Sequence, residues 1–270
     1  MTANYHTHTA RCRHASGTER EYIETGIKNG LSVLGFSDHT PQIFPEGYYS
    51  NFRMFPEEAK GYFGTVRALA EEYSSKIEIK AGLEVEYYPR IFGDLCDFLA
   101  EFEPDYLILG QHFIDNEFDT HDYSGNVHDK NGLKKYVDQT LEALETGKFS
   151  IFAHPDLIGY GEFDSDYERE MQRLCEGAKR LNVPLELNLL GLSEHRRYPR
   201  ADFWRIAAGV GNDVVIGCDA HSPDRVAKPE EVSRVRPWMR TSNIAFDNCS
   251  LITDLGGRRA AAGKVKDSQW

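Results

Sequence analysis

The residues best suited to chemistry in this 270-residue chain are its histidines, and they begin at once with His6-Thr7-His8, followed by His14. On an extended strand, residues i and i+2 point to the same side. His6 and His8 can therefore grip one metal ion from one side. Neutral imidazole is the commonest protein metal ligand near neutral pH. A lone His-x-His arises easily by chance, so its meaning depends on what the rest of the chain brings to meet it. The other candidates are Asp38-His39, Glu84, His112, His154 and Asp219-Ala220-His221.

The elements that must position these residues alternate regularly. An apolar segment at 3–5 forms a first strand. Thr18 and Glu21 make a capping box, opening a helix with Tyr22, Ile23 and Ile27 inward that Asn29-Gly30 ends. A strand at 33–36 stops at Ser37-Asp38-His39, and Pro41, Pro45 and Gly47 mark 40–55 as a long loop. A helix at 56–73, a strand at 77–85 carrying Glu84, and a helix at 89–102 follow. The unit then repeats: strand 106–109 ending at Gly110-Gln111-His112, polar loop 113–131, helix 132–146, strand 149–153 ending at His154, helix 164–181. Strand 183–189 carries Glu186 and Asn188, a short helix spans 200–209, and strand 214–217 ends at Cys218-Asp219-Ala220-His221. A helix from about 229, a weaker strand at 244–246 and a tail of low signal complete the chain.

Seven strand–helix alternations imply βαβ units and a parallel sheet. Right-handed crossovers repeated this often give a closed barrel or an open doubly wound sheet. No glycine-rich phosphate loop opens a helix, which disfavours the nucleotide-binding version of the open sheet. Six of the seven strands deliver a His, Asp or Glu at the same end. In a parallel barrel those ends share one face, where active sites sit.

Seven imidazoles with two carboxylates, and no thiolate, suit Zn, Fe or Mn better than Mg or Ca. Nine ligands are too many for one ion, so the expectation is two or three divalent metals, about 3.5–4 Å apart where bridged. Such a cluster acidifies a bridging water and clamps anionic oxygens. Its natural substrate is a phosphate ester.

Length and composition fit one α/β domain over 1–270. The net charge of −12 argues against non-specific binding to nucleic acid or to an anionic membrane, and a small phosphate ester is the expected partner. Five scattered cysteines with no Cys-x-x-Cys pair fit reduced thiols, and no apolar leader or span is legible. Both points lead to a cytoplasmic expectation.

These motifs resemble the polymerase-and-histidinol-phosphatase (PHP) superfamily. The resemblance rests on His6-x-His8 with His14, Ser37-Asp38-His39, Gly82-Leu83-Glu84, Gly110-Gln111-His112, Ala153-His154 and Gly217-Cys218-Asp219-Ala220-His221. Cys12-Arg13-His14-Ala15-x-Gly17, Asn188-x-x-Gly191-Leu192 and Tyr198-Pro199 resemble the stand-alone histidinol-phosphatases. Gln111 and Cys218 stand where many members have Ser, at positions that are not ligands. The resemblance implies a distorted (β/α)7 TIM-like barrel with a trinuclear site. His6, His8, Glu84 and Asp219 would hold one metal; Glu84, His112 and His154 the second; His14, His39 and His221 the third. It implies hydrolysis of L-histidinol phosphate to L-histidinol and phosphate in histidine biosynthesis, by a metal-bridging hydroxide attacking phosphorus.

Other roles are less constrained. Asp38 fits either orientation of an imidazole or protonation of the leaving group, and His195 is a second candidate acid. Arg196, Arg197 and Arg13 are the candidates to bind substrate phosphate, with one of Arg196 and Arg197 expected on it, and Arg13 and Arg11 flank the metal loop. Tyr48, Tyr49 and Phe52 are candidates to line the pocket, while His121 and His128 read as exposed. Three rival readings stand: a phosphoesterase of the same superfamily acting on another small ester, a diester or a nucleotide; an amidohydrolase-type barrel; and a non-catalytic metal-bound module. The amidohydrolase pattern fits poorly, because its carboxylated Lys on the fourth strand is replaced here by Glu84 on the third. The complete ligand set argues against a non-catalytic module.

Overall fold

The computed structural model describes residues 1–245 and Leu255. Seven parallel strands form one sheet in sequence order: β1 (Ala3–Asn4), β2 (Val33–His39), β3 (Glu78–Val85), β4 (Tyr106–Leu109), β5 (Ile151–Phe152), β6 (Leu185–Asn188) and β7 (Val214–Gly217). The two edges meet just beyond β1 and β7. There His8 N donates to Ala220 O at 3.0 Å and Ala220 N to His6 O at 3.3 Å. Below this bridge Cys218 N donates to Asn4 Oδ1 at 2.8 Å. The sheet is thus a nearly closed barrel, and its seam runs through the residues that carry the first and last chemical motifs.

Around it lie α1 (Glu19–Lys28), α2 (Ala59–Glu72), α3 (Phe92–Ala100), α4 (Lys130–Glu145), α5 (Ser165–Arg180), α6 (Leu189–Ser193), α7 (Ala201–Val210), α8 (Pro229–Val232) and α9 (Val235–Thr241). The capping box of α1 forms as read, with Thr18 accepting from Glu21 N and Glu21 accepting from Thr18 N. Asp129 and Asp164 cap α4 and α5 by their side chains alone, each accepting from N–H groups that the first turn leaves free.

Four expectations change. β2 runs through Asp38 and His39, which pair in register with Leu83 and Glu84, so these polar residues lie within the sheet. Asn188 caps an additional short helix, α6, by accepting from Gly191 N. The helix expected from 229 is two short ones. Of the expected strand at 244–246, Ile244 and Ala245 are not extended in the sheet and Phe246 lies outside the described residues; Ile244 N instead donates to Met239 O, closing α9.

Alternation along the strands sorts side chains into two layers. Phe36, Leu83, Val85, Leu107, Leu109, Leu185 and Leu187 pack beneath the helices. Ala3, Tyr5, Tyr106, Ile108, Ile151, Ala153 and Val215 fill the barrel. Tyr106 is the centre of this inner layer. Its Oη lies 2.7 Å from Tyr5 O and 3.0 Å from Phe36 O, tying β4 to the strands across the barrel. Gly35 and Gly82 face its ring so closely that a Cβ at either position would overlap it. The plug of side chains below the rim therefore depends on two residues having none.

Gly82→Ala should displace Tyr106 and lower stability by about 1–3 kcal/mol, the usual cost of overpacking. A reduced midpoint in urea unfolding at unchanged slope is the expected result.

Candidate metal centre

All nine candidate ligands from the sequence converge at the C-terminal rim of the barrel. Glu84 is at their centre. Its Oε1 lies 3.0 Å from His154 Nε2 and 3.6 Å from His112 Nε2. Its Oε2 lies 3.1 Å from His39 Nδ1 and 3.6 Å from the Nε2 atoms of both His6 and His8. Asp219 Oδ1 is 3.1 Å from His8 Nε2, 3.5 Å from His6 Nε2 and 3.4 Å from His221 Nδ1. The Nε2 atoms of His6 and His8 are 3.2 Å apart, and those of His14 and His221 are 3.0 Å apart.

These separations fit shared cations. With bonds of about 2.0–2.1 Å, neighbouring ligand atoms around one metal stand roughly 3.0–3.4 Å apart. His39 Nδ1 and Glu84 Oε2 are buried, close together, and yet neither has a hydrogen-bond partner. A buried carboxylate oxygen without a partner is costly, and cations held within the cluster would relieve that cost. The donor set of imidazole and carboxylate suits Zn, Fe or Mn.

The far side of most of the rings is held. His6 Nδ1 meets Glu186 Oε1 at 2.7 Å, and His112 Nδ1 meets Glu86 Oε1 at 2.8 Å. His8 Nδ1 lies 3.4 Å from Asp38 Oδ1, while His14 Nδ1 faces Cys12 O at 2.8 Å and His221 Nδ1 faces Asp219 O at 3.0 Å. Partners of this kind fix the tautomer and aim the lone pair of Nε2 at a metal. Glu186 also accepts from His154 N and from Asn188 Nδ2, whose amide reaches Asp219.

Two glycines of the sequence motifs clear space for this arrangement. A Cβ on Gly110 would overlap the carboxylate of Glu84, and one on Gly217 would overlap that of Glu186. His154 and Asp219 adopt left-handed backbone angles, with φ of 30° and 50°. Such conformations cost about 1–3 kcal/mol in a residue with a side chain and persist where surrounding structure imposes them.

The electrostatics follow from burial and charge together. Burial favours the neutral form of Glu84 and Asp219, but the surrounding imidazoles outweigh it and hold both well below the usual carboxylate range. Burial also disfavours charge on His39 and His221; it leaves His39 far below its ordinary value and His221 at about 3. His14 is lowered as well, chiefly by burial. These three keep free lone pairs at neutral pH. For His8 burial acts in the same direction, but hydrogen bonds with Asp219 and Asp38 raise it to about 9.

A cavity of about 580 Å³ opens over the cluster, and His14, His39, Glu84, His112, Asp219 and His221 form its floor. Phe52, Phe113 and Tyr123 make one wall; Arg196, Tyr198 and Glu194 make another. Several expectations are corrected here. Asp38 does not line the cavity: it is fully buried behind His8 and accepts from Thr9 Oγ1 and His39 N, so it faces the His8 ring and not the space over the cluster. His195 points into a different depression, with Arg234 and Trp238. Arg197 donates to Gly125 O and Gly159 O, and Arg13 is paired with Glu58 and stacked on Phe55. Neither lines the cavity, whereas Arg196 does. Arg11 pairs with Glu19. Tyr48 donates to Glu117 and Tyr49 is exposed, leaving Phe52 as the pocket residue of the three. His121 and His128 are exposed. Glu86, Glu186, Tyr123 and Tyr198 were not foreseen as part of the site. Glu84-x-Glu86 and Glu186-x-Asn188 do carry a signal, because residues two apart on a strand face the same way.

A parallel β/α barrel with imidazoles and carboxylates gathered at one rim defines a metal-centred barrel of the kind that hosts hydrolases. The model of the PHP domain matches residues 4–189, and the chain belongs to that family. It is 31% identical over 228 residues to a probable histidinol-phosphatase of Deinococcus radiodurans, covering 82% of this chain and 86% of that one. It is 23% identical over 236 residues to the probable phosphatase YcdX of Escherichia coli, covering 85% and 82%. Among solved structures, the histidinol phosphate phosphatase of Lactococcus lactis, complexed with Zn, L-histidinol and phosphate, shares the fold at a TM-score of 0.69 and 19% identity, over 90% of this chain and 94% of that one.

Glu186→Gln keeps the shape of the carboxylate but weakens its hold on His6. Metal affinity of the apo-protein, measured by competition with a chromophoric chelator, should fall about 10–100-fold.

Proposed function

We propose that the protein is a metal-dependent phosphomonoesterase that hydrolyses L-histidinol phosphate to L-histidinol and phosphate. The observation that carries this reading is the position of Glu84. Its two oxygens address separate groups of imidazoles, an arrangement suited to bridging metals. His6, His8, Glu84 and Asp219 would hold one ion, Glu84, His112 and His154 a second, and His14, His39 and His221 a third. When bound, divalent metals supply Lewis-acid polarisation of phosphate oxygens and acidify a water to a nucleophile near neutral pH.

The residues around the cluster do the rest of the positioning. Arg196 overlooks the floor of the cavity, held by Glu194 at 2.8 Å and by Tyr198 Oη at 3.1 Å. A planar guanidinium matches phosphate oxygens and stabilises charge that develops on them. Phe52, Phe113 and Tyr123 give the organic part of the ester an apolar surface. Water adds to phosphorus as the ester P–O bond breaks, and the departing alkoxide takes up a proton. The substrate is supported by the name of the Deinococcus relative and by the histidinol and phosphate in the Lactococcus structure. The acidic composition weighs against a long nucleic acid as substrate, and no helix among the described residues is long and apolar enough to cross a membrane.

Phosphate release from L-histidinol phosphate, compared with a panel of monoesters and one diester, tests the assignment. Preference for histidinol phosphate, abolished by chelation and restored by Zn, Fe or Mn, is expected; preference for a diester or nucleotide would overturn the substrate while keeping the site. Arg196→Ala should lower kcat/KM by about 100-fold with bound metal unchanged. Glu84→Ala should lose both metal and turnover.

A further inference from the structure

Two loops frame the cavity: residues 40–55, after β2, and residues 110–123, after β4. Arg53 joins them. It is 2% exposed, and its guanidinium is held from several directions. Nη1 donates to Glu86 Oε2 at 2.7 Å and to Thr40 O at 3.1 Å, Nε donates to Ser50 Oγ at 3.1 Å, and Nη2 pairs with Glu117 Oε2. Glu117 lies on the second loop and also accepts from Tyr48 Oη and Tyr88 Oη, both at 3.1 Å.

The two ends of this triad lead to different parts of the site. Glu86 spends its other oxygen on His112 Nδ1 at 2.8 Å. On the cavity side, the Arg53 guanidinium sits 4.3 Å from the centre of the Phe52 ring. Phe52 in turn stacks with Phe113 at 5.9 Å and meets His39 edge-on at 5.5 Å. A buried Glu–Arg–Glu triad is seldom more stable than apolar residues of the same volume, so stability alone does not account for it. Its geometry does something an apolar cluster could not: one rigid group fixes both a ring in the metal cluster and a ring in the cavity wall.

We infer that Arg53 is a positioning residue that aligns His112 through Glu86 and the Phe52 wall through direct stacking, with Glu117 locking the second loop onto the first. This rests on the proposed phosphatase site. Lysine keeps the charge but cannot donate to both carboxylates in one plane. Arg53→Lys should therefore weaken Zn binding by the apo-protein, by less than the about 10–100-fold that loss of a direct imidazole partner costs, and raise KM for L-histidinol phosphate severalfold as the planar stack on Phe52 is lost. Glu117→Gln leaves the Arg53–Glu86 pair in place and should raise KM with Zn affinity unchanged.

Circular dichroism and urea unfolding establish that each variant is folded. A folded Arg53→Lys or Glu117→Gln protein with a lower unfolding midpoint but wild-type KM and Zn affinity would overturn the inference and leave the triad a structural staple. Should Arg53→Lys fail to fold, Glu117→Gln alone decides between these outcomes. If the wild-type protein does not hydrolyse L-histidinol phosphate, the proposed substrate fails, and Zn titration of Arg53→Lys still judges the role of Arg53.

Discussion

Glu84 is a carboxylate with 1% of its surface exposed, and an unpaired charge so placed costs several kcal/mol. Much of the rim can be understood as the answer to that cost. Five imidazoles approach its two oxygens, and Asp219, itself buried, faces three rings of the same cluster. Neither carboxylate is tolerable without the imidazoles. In turn, imidazoles crowded at 3.0–3.2 Å between ring nitrogens are poorly matched to one another unless a cation lies between them. The cluster is stable as a whole and unsatisfied in its parts, which is the physical character of a metal site.

That constraint reaches into the barrel. His6 and His8 belong to the first strand region, and Asp219 and His221 to the last, so the cluster requires a closed sheet. The Thr7–Ala220 bridge supplies closure at that level. Below it, Tyr106 fills the barrel and Gly35 and Gly82 accept its ring. At the rim the same device reappears, with Gly110 making way for Glu84 and Gly217 for Glu186. The glycines that precede the acidic and imidazole motifs are thus part of the site, because they decide how closely a neighbouring carboxylate can approach.

The strands, and the nine candidate ligands that the rim brings together, were legible in the sequence for a simple reason. A short apolar run followed by His, Asp or Glu is a local pattern, and a parallel barrel turns seven such patterns into one place. What was not legible depends on neighbours distant in sequence. Asp38 was legible as a residue suited to orienting a ring and as one candidate acid; only the course of β2 beside β1 shows it shut behind His8. Arg196 and Arg197 are adjacent and chemically identical, and the choice between them follows from Tyr198 and Glu194 holding one over the cavity while two carbonyls draw the other away. The extension of β2 was missed because Ser37-Asp38-His39 has the composition of a strand end. Its place inside the sheet is imposed by pairing with β3, a tertiary effect that outweighs local preference.

Glu86 and Glu186 show why the surroundings of a candidate metal site are harder to read than its candidate ligands. Glu186 lies two residues before Asn188 on β6, and Glu86 two residues after Glu84, one past the end of β3; the spacing of two suggests the same side in each case. Period two assigns the side but not the partner. Glu186 reaches His6 on the far side of the seam, and Glu86 turns between His112 and Arg53. Each carboxylate therefore joins a ligand to another part of the fold: Glu186 to the backbone of His154 and the amide of Asn188, Glu86 to the loops over the cavity. An imidazole held on its far side by a group with a second attachment cannot turn independently of that attachment. Ligand orientation, barrel closure and the shape of the cavity are for this reason coupled properties of one network of buried charge.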